Sequence, residues 1–326
     1  MSYSKAVLEA LIERLPSEIT ALLAQDDLKY DEPLSTHTTF KVGGPADLWI
    51  RPRGEAFPPI AVALLDLART QGIPLFILGG GANLVVSDSG LRGIVLDTTG
   101  WTGCDFSPDE ATAASGSVLI RAGTRVDDAL EAAAREGWGG LEFLAGMPGT
   151  LGGAVWMNAR CFDRQVSDVL LETEILDEKL NRISLFPGKG DFSYKKSPFQ
   201  TRDVLILAAR FRLQRREKLE IQGDMEKHRR DREEKGHYRF PSAGSAFKNN
   251  RDFGKPTGKI IDELGLRGLS VGGAQIAPWH GNFIINTGNA RAADIRELTS
   301  LTAEKVKAAL GIELEPEIIF VGDFNP

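Results

Sequence analysis

Residues 75–88 read LFILGGGANLVVSD, and this pattern decides the class of fold. Two short apolar runs, each typical of a strand, flank the three consecutive glycines Gly79, Gly80 and Gly81. A doubly wound dinucleotide fold needs GxGxxG at the start of a helix, whereas here Leu84 stands at the third glycine's position and a second strand follows. The loop therefore argues against a doubly wound sheet and favours an α+β domain.

The segments around this loop support the same class. Helical segments, each closed by a glycine, separate several strand-like runs, namely ADLWIRP, PLFILGG, ANLVVSD, GIVLDT and SVLIRAG. This order predicts a βαββ-type α+β domain. Residues 166–215 then read as strands and hairpins, and the charged run EKLEIQGDMEKHRRDREEKGHYRF predicts a solvated helix that leads into a second domain. A helix over residues 291–309 and a final strand in EPEIIFVG complete the chain.

Length and composition limit the function. A chain of 326 residues has room for two domains, and a net charge of -6 argues against a nucleic-acid partner. The N-terminus alternates apolar and charged residues with helical spacing and lacks a signal peptide, and no apolar run reaches the roughly 18 to 20 residues of a membrane span. We therefore expect a cytoplasmic protein without membrane insertion. Cys104, Cys161 and the four histidines lack the spacing of a metal site.

Two glycine-rich segments are candidate ligand sites. Consecutive glycines between strands can aim several backbone N–H groups at one point and form an anion nest that suits a pyrophosphate, although a plain turn explains three glycines alone as well. The second segment, LEFLAGMPGTLGGAVWMNAR at residues 141–160, places Gly152 and Gly153 at the start of a predicted helix. Each costs the helix about 1 kcal/mol relative to alanine, which either a flat ligand or tight helix packing would explain.

Taken with LSTHTTFKVGGPADL before them and PSAGSAFKNN, GGAQIAPWHGNFIIN and LEPEIIF after them, these segments resemble the UDP-N-acetylenolpyruvoylglucosamine reductase (MurB) family, in its shorter type II form. The resemblance covers about residues 34–322. It implies an FAD-binding domain of the vanillyl-alcohol-oxidase (PCMH) type over residues 1–212, with subdomains at about 34–97 and 98–212. A smaller α+β substrate-binding domain would follow over residues 213–326, with a final strand that carries Glu317 back to the active site.

The family resemblance also implies an activity. Members reduce the enolpyruvyl ether of UDP-N-acetylglucosamine to UDP-N-acetylmuramate in peptidoglycan synthesis, with NADPH as hydride donor and a non-covalent FAD. The implied FAD contacts all lie in the two glycine-rich segments, at Gly79, Gly80, Gly81, Ala82, Asn83, Leu84, Gly146, Pro148, Gly149, Thr150, Gly153, Ala154 and Asn158. We expect a monomer whose partners are the nucleotide-sugar and NADPH.

Three catalytic residues are implied in the same way. Hydride from flavin N5 adds to C3 of the substrate, and Ser245, which lies in the family's PSAGS motif, donates the proton to C2. Glu317 helps to polarise the substrate at C2, and Lys195 stands where the family most often has arginine. Tyr194, Lys195 and Asn249 are the implied substrate contacts. From the residues alone, Ser245 also fits a simple turn and Glu317 a surface carboxylate at a strand end.

The departures from the family pattern leave alternatives. A lysine is a compact charge without the two-pronged geometry of arginine, so Lys195 predicts less exact orientation of a carboxylate, and Lys196 is an adjacent candidate for the same role. Ile319 also replaces an expected arginine. Two other functions remain open: another FAD-dependent oxidoreductase of this fold, and a flavin- or nucleotide-binding homologue without catalysis. Oxidases of this fold often attach flavin through histidine, and neither glycine-rich segment contains one.

Overall fold

The computed structural model describes residues 3–24, 27–112, 114–188 and 190–324. Its helices are α1 (Lys5–Ile12), α2 (Ser17–Thr20), α3 (Phe57–Gln71), α4 (Val126–Arg135), α5 (Leu151–Trp156), α6 (Lys218–Glu234), α7 (Thr257–Glu263) and α8 (Ala292–Leu310). Its strands are β1 (Leu28–Pro33), β2 (Pro45–Ile50), β3 (Leu75–Leu78), β4 (Leu84–Val86), β5 (Leu91–Asp97), β6 (Cys104–Pro108), β7 (Ser115–Arg121), β8 (Trp138–Gly139), β9 (Arg160–Cys161), β10 (Arg164–Gln165), β11 (Leu170–Leu176), β12 (Arg182–Leu185), β13 (Leu205–Arg215), β14 (Ser270–Val271), β15 (Ala274–Ile276), β16 (Ile284–Asn286) and β17 (Ile319–Val321). The predicted helical N-terminus contains α1 and α2, and its residues 1, 2, 25 and 26 lie outside the described ranges.

The first sheet carries the first glycine-rich loop at its edge. Its strand order is β1-β2-β5-β3, in which β1 is antiparallel to β2 and the other three strands run parallel. Helix α3 links β2 to β3 and buries Phe57, Ile60 and Leu64 in the main core. It ends at Gly72, whose φ of 64° is the left-handed conformation of a helix-ending glycine. Because β3 is an edge strand of this sheet, residues 79–83, which follow β3, lie at the edge of the sheet.

The predicted βαββ order departs from the structure at β4. This strand does not join the first sheet but pairs in parallel with β17, with Leu84 opposite Ile319. β5 takes the position between β2 and β3. The three apolar residues of β4 could pair with a strand of the first sheet or with another strand. The sequence of β4 does not determine its partner, which is β17 near the end of the chain.

The second sheet is antiparallel and carries the second glycine-rich segment. Its order is β12-β11-β13-β7-β6, and β8 also pairs with β13. The strands β11, β12 and β13 lie where the sequence predicts a hairpin and a strand. α5 packs on β13 and β7, and Thr150 is the residue immediately before it. The sheet therefore fixes the position of residues 146–153.

The C-terminal residues form a smaller α+β unit with its own core. β14, β15 and β16 make an antiparallel sheet against α7 and α8. The carboxylate of Asp88, in the loop after β4, accepts hydrogen bonds from the N–H groups of Ala292 at 2.8 Å and Ala293 at 3.0 Å. These bonds satisfy two N–H groups at the start of α8 that have no partner within the helix. Together with the β4–β17 pair, they fasten this unit to the first sheet.

Helix α6 shifts the division between the two cores. The predicted boundary between residues 212 and 213 falls inside β13, which continues to Arg215. α6 is solvated along much of its length, as predicted, but Ile221 and Met225 are buried in the main core beside α4. The first unit therefore extends through α6, because two apolar side chains in the charged run pack on it.

The described residues were also searched for membrane spans and metal ligands. None of their helices is both long and apolar enough to cross a bilayer. Within the same residues, no group of three histidine, cysteine, aspartate or glutamate side chains is arranged to hold a metal ion.

Candidate active site

The two glycine-rich segments lie against each other. A Cβ placed on Gly80 would come within 2.6 Å of the Gly149 Cα and 3.0 Å of its carbonyl carbon. One placed on Gly79 would lie 2.8 Å from the Thr150 Oγ1. Gly81 has a φ of 58°, and a Cβ there would overlap the carbonyl oxygen of His37. The absence of side chains thus lets two loops from different sheets form one backbone cradle.

The hydrogen-bond donors of this cradle are unsatisfied within the described residues. Across the described residues, the backbone N–H groups of residues 79–83, Gly149 and Thr150 donate no hydrogen bond. The Thr150 Oγ1 is buried and also lacks a partner. Buried polar groups are nearly always paired in native proteins, so a ligand with acceptor oxygens is expected here. Converging N–H groups and a hydroxyl fit the pyrophosphate of FAD.

Other residues of the two segments are bonded within the protein. Gly146, at a φ of 74°, donates its N–H to the Asp127 Oδ1 at 2.9 Å. Asn158 is fully buried, donates its amide Nδ2 to the Ser193 carbonyl at 2.9 Å and accepts the Ser167 N–H at 3.0 Å. Its side chain therefore fixes the loop that carries residues 193–196. Leu84 lies in β4, Gly153 and Ala154 lie in α5, and Pro148 lies just before Gly149 in the loop that leads into α5.

Asn83 connects the cradle to the C-terminal unit. Its Nδ2 donates to the Glu317 carbonyl at 2.9 Å, and its own carbonyl accepts the N–H of Ile319 at 3.0 Å. Glu317 lies just before β17 rather than within it, and its N–H donates to the Ala246 carbonyl at 2.8 Å. Ile319 itself is the first residue of β17. The chain thus runs directly from the cradle past Glu317 to the segment of Ser245.

The chain segments that carry Ser245, Glu317 and Lys195 are joined beside the cradle. Ser245 forms an antiparallel bridge with Phe283, and within the described chain its hydroxyl makes no hydrogen bond. Its neighbour Ala246 is buried and is bonded to Glu317 as described above. The Glu317 carboxylate forms an ion pair with the Lys195 ammonium, and the two side chains are 11% and 14% exposed. The residue with this unbonded hydroxyl is therefore the chain neighbour of Ala246, whose carbonyl holds the backbone of Glu317 and so the segment that carries the shielded ion pair.

Lys195 reaches Glu317 from a strained turn. Ser193 and Lys196 exchange backbone hydrogen bonds of 3.2 and 3.0 Å, which leaves Tyr194 and Lys195 at the tip. Lys195 has a φ of 58°, a left-handed conformation that is uncommon for a residue with a side chain and is concentrated at functional sites. Lys196 forms no ion pair with any described residue, so of the two candidates it is Lys195 that contacts Glu317.

Asn249 has a local role in this structure. Its Oδ1 accepts the N–H of Thr257 at 2.9 Å, at the beginning of α7, while the Thr257 hydroxyl donates to the Lys248 carbonyl at 2.8 Å. Asn249 is exposed, and its amide oxygen is used to hold the start of that helix. The structure thus pairs Lys195 with Glu317, joins the Glu317 backbone to the segment that carries Ser245, and engages the side chain of Asn249 elsewhere.

Comparisons with known proteins bear on the family and the domains of this chain. Residues 236–321 match the family model for the UDP-N-acetylenolpyruvoylglucosamine reductase C-terminal domain, and residues 61–179 match that of an FAD binding domain. A UDP-N-acetylenolpyruvoylglucosamine reductase of Treponema denticola is 39% identical over 320 residues, covering 94% of this chain and 97% of the relative. The chain belongs to the UDP-N-acetylenolpyruvoylglucosamine reductase family.

Further relatives extend this match. The UDP-N-acetylenolpyruvoylglucosamine reductase of Borreliella burgdorferi is 37% identical over 94% of this chain and 99% of its own length. The crystal structure of the Thermus caldophilus enzyme, MurB, has a TM-score of 0.71 and 33% identity, covering 88% of this chain and 97% of that chain. The predicted family and α+β fold class, with an FAD-binding domain followed by a smaller C-terminal domain, are confirmed.

One wall of this MurB-family site was missed in the sequence. A cleft of about 340 Å³ has the glycine segment 146–149 on one side and Arg229 and Tyr238 on the other. The Tyr238 hydroxyl donates to the Gly146 carbonyl at 2.6 Å. These residues lie in or just after the charged run of α6, where a solvated helix was the simplest interpretation. Tyr238, an aromatic residue near the end of that run and just before the serine motif, was the available signal.

Two uncharged histidines stand behind Ser245. Phe283, the bridge partner of Ser245, stacks on His280 with ring centroids 3.9 Å apart and meets His237 edge-on at 4.5 Å. Burial lowers the pKa of His237 to about 3 and also lowers the pKa of His280. Both rings are therefore neutral at neutral pH and act as packing for the bridge rather than as a source of charge.

Proposed function

We propose that this protein is an NADPH-dependent flavoenzyme that reduces UDP-N-acetylglucosamine enolpyruvate to UDP-N-acetylmuramate for peptidoglycan synthesis. The observation that carries the proposal is the Lys195–Glu317 ion pair, on a Glu317 whose backbone is bonded both to Asn83 of the cradle and to Ala246 beside Ser245. The FAD-binding residues are those of the two glycine-rich segments. Bound FAD supplies a hydride acceptor for NADPH and a hydride donor for the substrate. The C-terminal unit supplies Ser245 and Glu317, and we assign substrate binding to it.

Each catalytic group answers a need of the substrate. The enolpyruvyl group is an α,β-unsaturated carboxylate, so reduction at C3 leaves negative charge over C2 and the carboxylate. The Lys195 ammonium stabilises that charge, and the unbonded hydroxyl of Ser245 donates the proton that C2 requires. Glu317 polarises the substrate at C2. Tyr194, next to Lys195 at the turn tip, and Asn249 are the further substrate contacts in this proposal.

The ion pair between Lys195 and Glu317 describes the substrate-free site. Both charges are shielded from solvent, and each neutralises the other. A substrate carboxylate that reaches Lys195 replaces the Glu317 carboxylate as its partner, which frees Glu317 to face C2. Because two charges change partners in a shielded site, the exchange favours a ligand that itself carries a carboxylate.

We further propose that the protein is a cytoplasmic monomer. Its substrates are water-soluble nucleotides, and the two cores are complete within one chain.

The proposal is tested by replacing Ser245 in the FAD-loaded protein. Ser245→Ala removes one oxygen, so we expect folding, FAD binding and flavin reduction by NADPH to persist. Reoxidation of the reduced flavin by the enolpyruvyl substrate should slow by about 100- to 10,000-fold, the range of a lost general acid. Ser245→Cys should recover part of the rate because a thiol can donate a proton. Reoxidation at the wild-type rate in Ser245→Ala would remove the proton-donor role, and wild-type protein that ignores the substrate would indicate another oxidoreductase or a non-catalytic homologue.

A further inference from the structure

An exposed aromatic and cationic surface lies beside the site and has no role in the mechanism above. It consists of Arg239, Phe240 and Trp279, which we call the aromatic shelf. The Phe240 and Trp279 rings stack with centroids 6.0 Å apart and planes inclined by 26°. The Arg239 guanidinium carbon lies 5.1 Å from the centre of the Trp279 ring, and no described carboxylate forms an ion pair with Arg239. Phe240 is 42% exposed, so the shelf is open to a ligand.

The shelf lies on the chain segments that lead to Ser245. Two residues before Phe240, the Tyr238 hydroxyl is bonded to the glycine segment at Gly146. Trp279 is in the turn that ends at Phe283, the bridge partner of Ser245, and Ala277 and Phe283 close that turn with a 2.8 Å hydrogen bond. The shelf is therefore connected to the glycine segment on one side and to Ser245 on the other.

The indole edge of Trp279 is held in an unfavourable position. Its Nε1 is buried and has no hydrogen-bond partner among the described residues, at a cost in free energy. That nitrogen rests against Gly236, where any Cβ would overlap it and where φ is 76°. If the indole N–H were the useful part of this side chain, a hydrogen-bond acceptor would be expected beside it. The Trp279 side chain is half-buried, and its contribution to the shelf is the ring that stacks on Phe240 beside the Arg239 guanidinium.

We infer that the aromatic shelf binds the flat base of a nucleotide substrate, with Arg239 near a phosphate of the same nucleotide. Aromatic rings stack on any base, and an arginine beside them suits an anionic phosphate. The inference rests on the proposed function, which brings two such molecules to the site. The uracil of the UDP-sugar and a base of NADPH share this chemistry, and the experiment distinguishes them.

The test measures the affinities of UDP and of NADP⁺ for the FAD-loaded protein by calorimetry. Trp279→Ala and Phe240→Ala should weaken one or both ligands by about 10-fold, the loss expected for one stacked base. Trp279→Phe should stay close to the wild type because a ring face remains. The matched control is Phe186→Ala, which removes an aromatic side chain that is 70% exposed at the end of β12. Its affinities should stay within about 2-fold of the wild type.

The outcomes separate the sources and the hypotheses. Weakening of UDP alone identifies uracil, weakening of NADP⁺ alone identifies a base of NADPH, and weakening of both identifies a shared subsite. With the natural substrate, a stacking role raises KM while kcat changes little, whereas damage to the fold lowers flavin content. If Trp279→Ala loses its flavin, Phe240→Ala and Arg239→Gln decide. Affinities within about 2-fold of wild type in all shelf variants would overturn the inference, whereas a wild type that binds neither ligand contradicts the proposed function.

Discussion

At Lys195 a single residue combines backbone strain with a shielded charge. Its φ of 58° places the ammonium on Glu317 from the tip of a two-residue turn. A left-handed residue with a side chain costs free energy, and such strain is concentrated at functional sites, which agrees with the role proposed for this charge. The side chain lacks the fork of an arginine, and it can offer the substrate carboxylate a point charge only.

The first prediction concerns that charge. Lys195→Ala should slow flavin reoxidation by the enolpyruvyl substrate about 100-fold, the scale of one lost group that stabilises charge in the transition state. Flavin reduction by NADPH should change little, and Lys195→Arg should remain active because the cation is kept. Lys196→Ala is the matched control from the same turn. Rapid mixing of pre-reduced protein with substrate measures the rates, and a slow Lys196→Ala beside a normal Lys195→Ala would transfer the role to Lys196.

The second prediction concerns Gly80. A methyl group there would lie 2.6 Å from the backbone of Gly149, which has no flexible side chain that could move aside. Gly80→Ala should therefore push the two glycine segments apart and yield folded protein with little bound FAD. Gly223→Ala is the control, because a Cβ on Gly223 in α6 meets nothing within 4 Å. Absorbance at the flavin bands after purification gives the occupancy, and full occupancy in Gly80→Ala would show that the cradle is misassigned.

Sequence could identify these residues but not their contacts. The glycine triplet and the serine motif can be recognised in the sequence by their residue types and spacing. The approach of Gly80 to Gly149 joins loops from two different sheets, and the bond between Asn83 and Glu317 joins the first sheet to the end of the chain. Short-range patterns carry no information about either contact. The hydrogen bonds of the Asn158 and Asn249 side chains could not be predicted for the same reason, because the sequence does not show whether an amide side chain is buried or exposed.

Among the elements, long periodic segments were predicted best. α8 lies within one residue of the helix predicted over residues 291–309, and α3 and α4 are the predicted helical segments that a glycine closes between strand-like runs. β4 was predicted as a strand, but its parallel partner β17 depends on tertiary structure. β1, with the sequence LKYDEP, was missed because its apolar residues are few and one side of it is exposed. α6 was predicted as a helix, yet its charge obscured the two residues that pack on the main core.

The third prediction concerns the segment after α6, where burial holds the pKa of His237 at about 3. A histidine in the unfolded chain has a pKa near 6.5. Below that pH the His237 ring is therefore protonated in the unfolded state while it stays neutral in the folded state. Stability is unaffected by this group above about pH 7.5 and falls as pH decreases, by at most about 1.4 kcal/mol per pH unit. His237→Phe keeps a ring beside Phe283 and removes the proton site. Urea unfolding at pH 7.5 and 5.5 should show a smaller loss of stability in this variant, and equal losses would refute the assignment.

At the scale of the whole molecule, the cradle is the place where the parts of the chain meet. Residues 79–83 follow a strand of the first sheet, residues 146–150 precede a helix that packs on the second, and Asn83 is bonded to the segment of the C-terminal unit that holds Glu317. A cofactor that fills the cradle contacts both sheets at once. Its binding energy therefore stabilises the arrangement of the whole chain as well as the two loops.

The last prediction follows from this arrangement. Neither glycine-rich segment contains a histidine or a cysteine that could form a covalent link, although Cys161 lies one residue beyond the second segment. FAD should therefore be released on denaturation. Acid precipitation should leave the flavin colour in the supernatant, and a yellow pellet would indicate covalent attachment. Apoprotein should melt at a lower temperature, and FAD at 100 times its Kd should restore about 2.7 kcal/mol and several degrees of Tm. Gly80→Ala apoprotein, with its cradle blocked, should not respond to FAD. An equal rise in Tm for both proteins would mean that FAD stabilises the chain from somewhere other than the cradle.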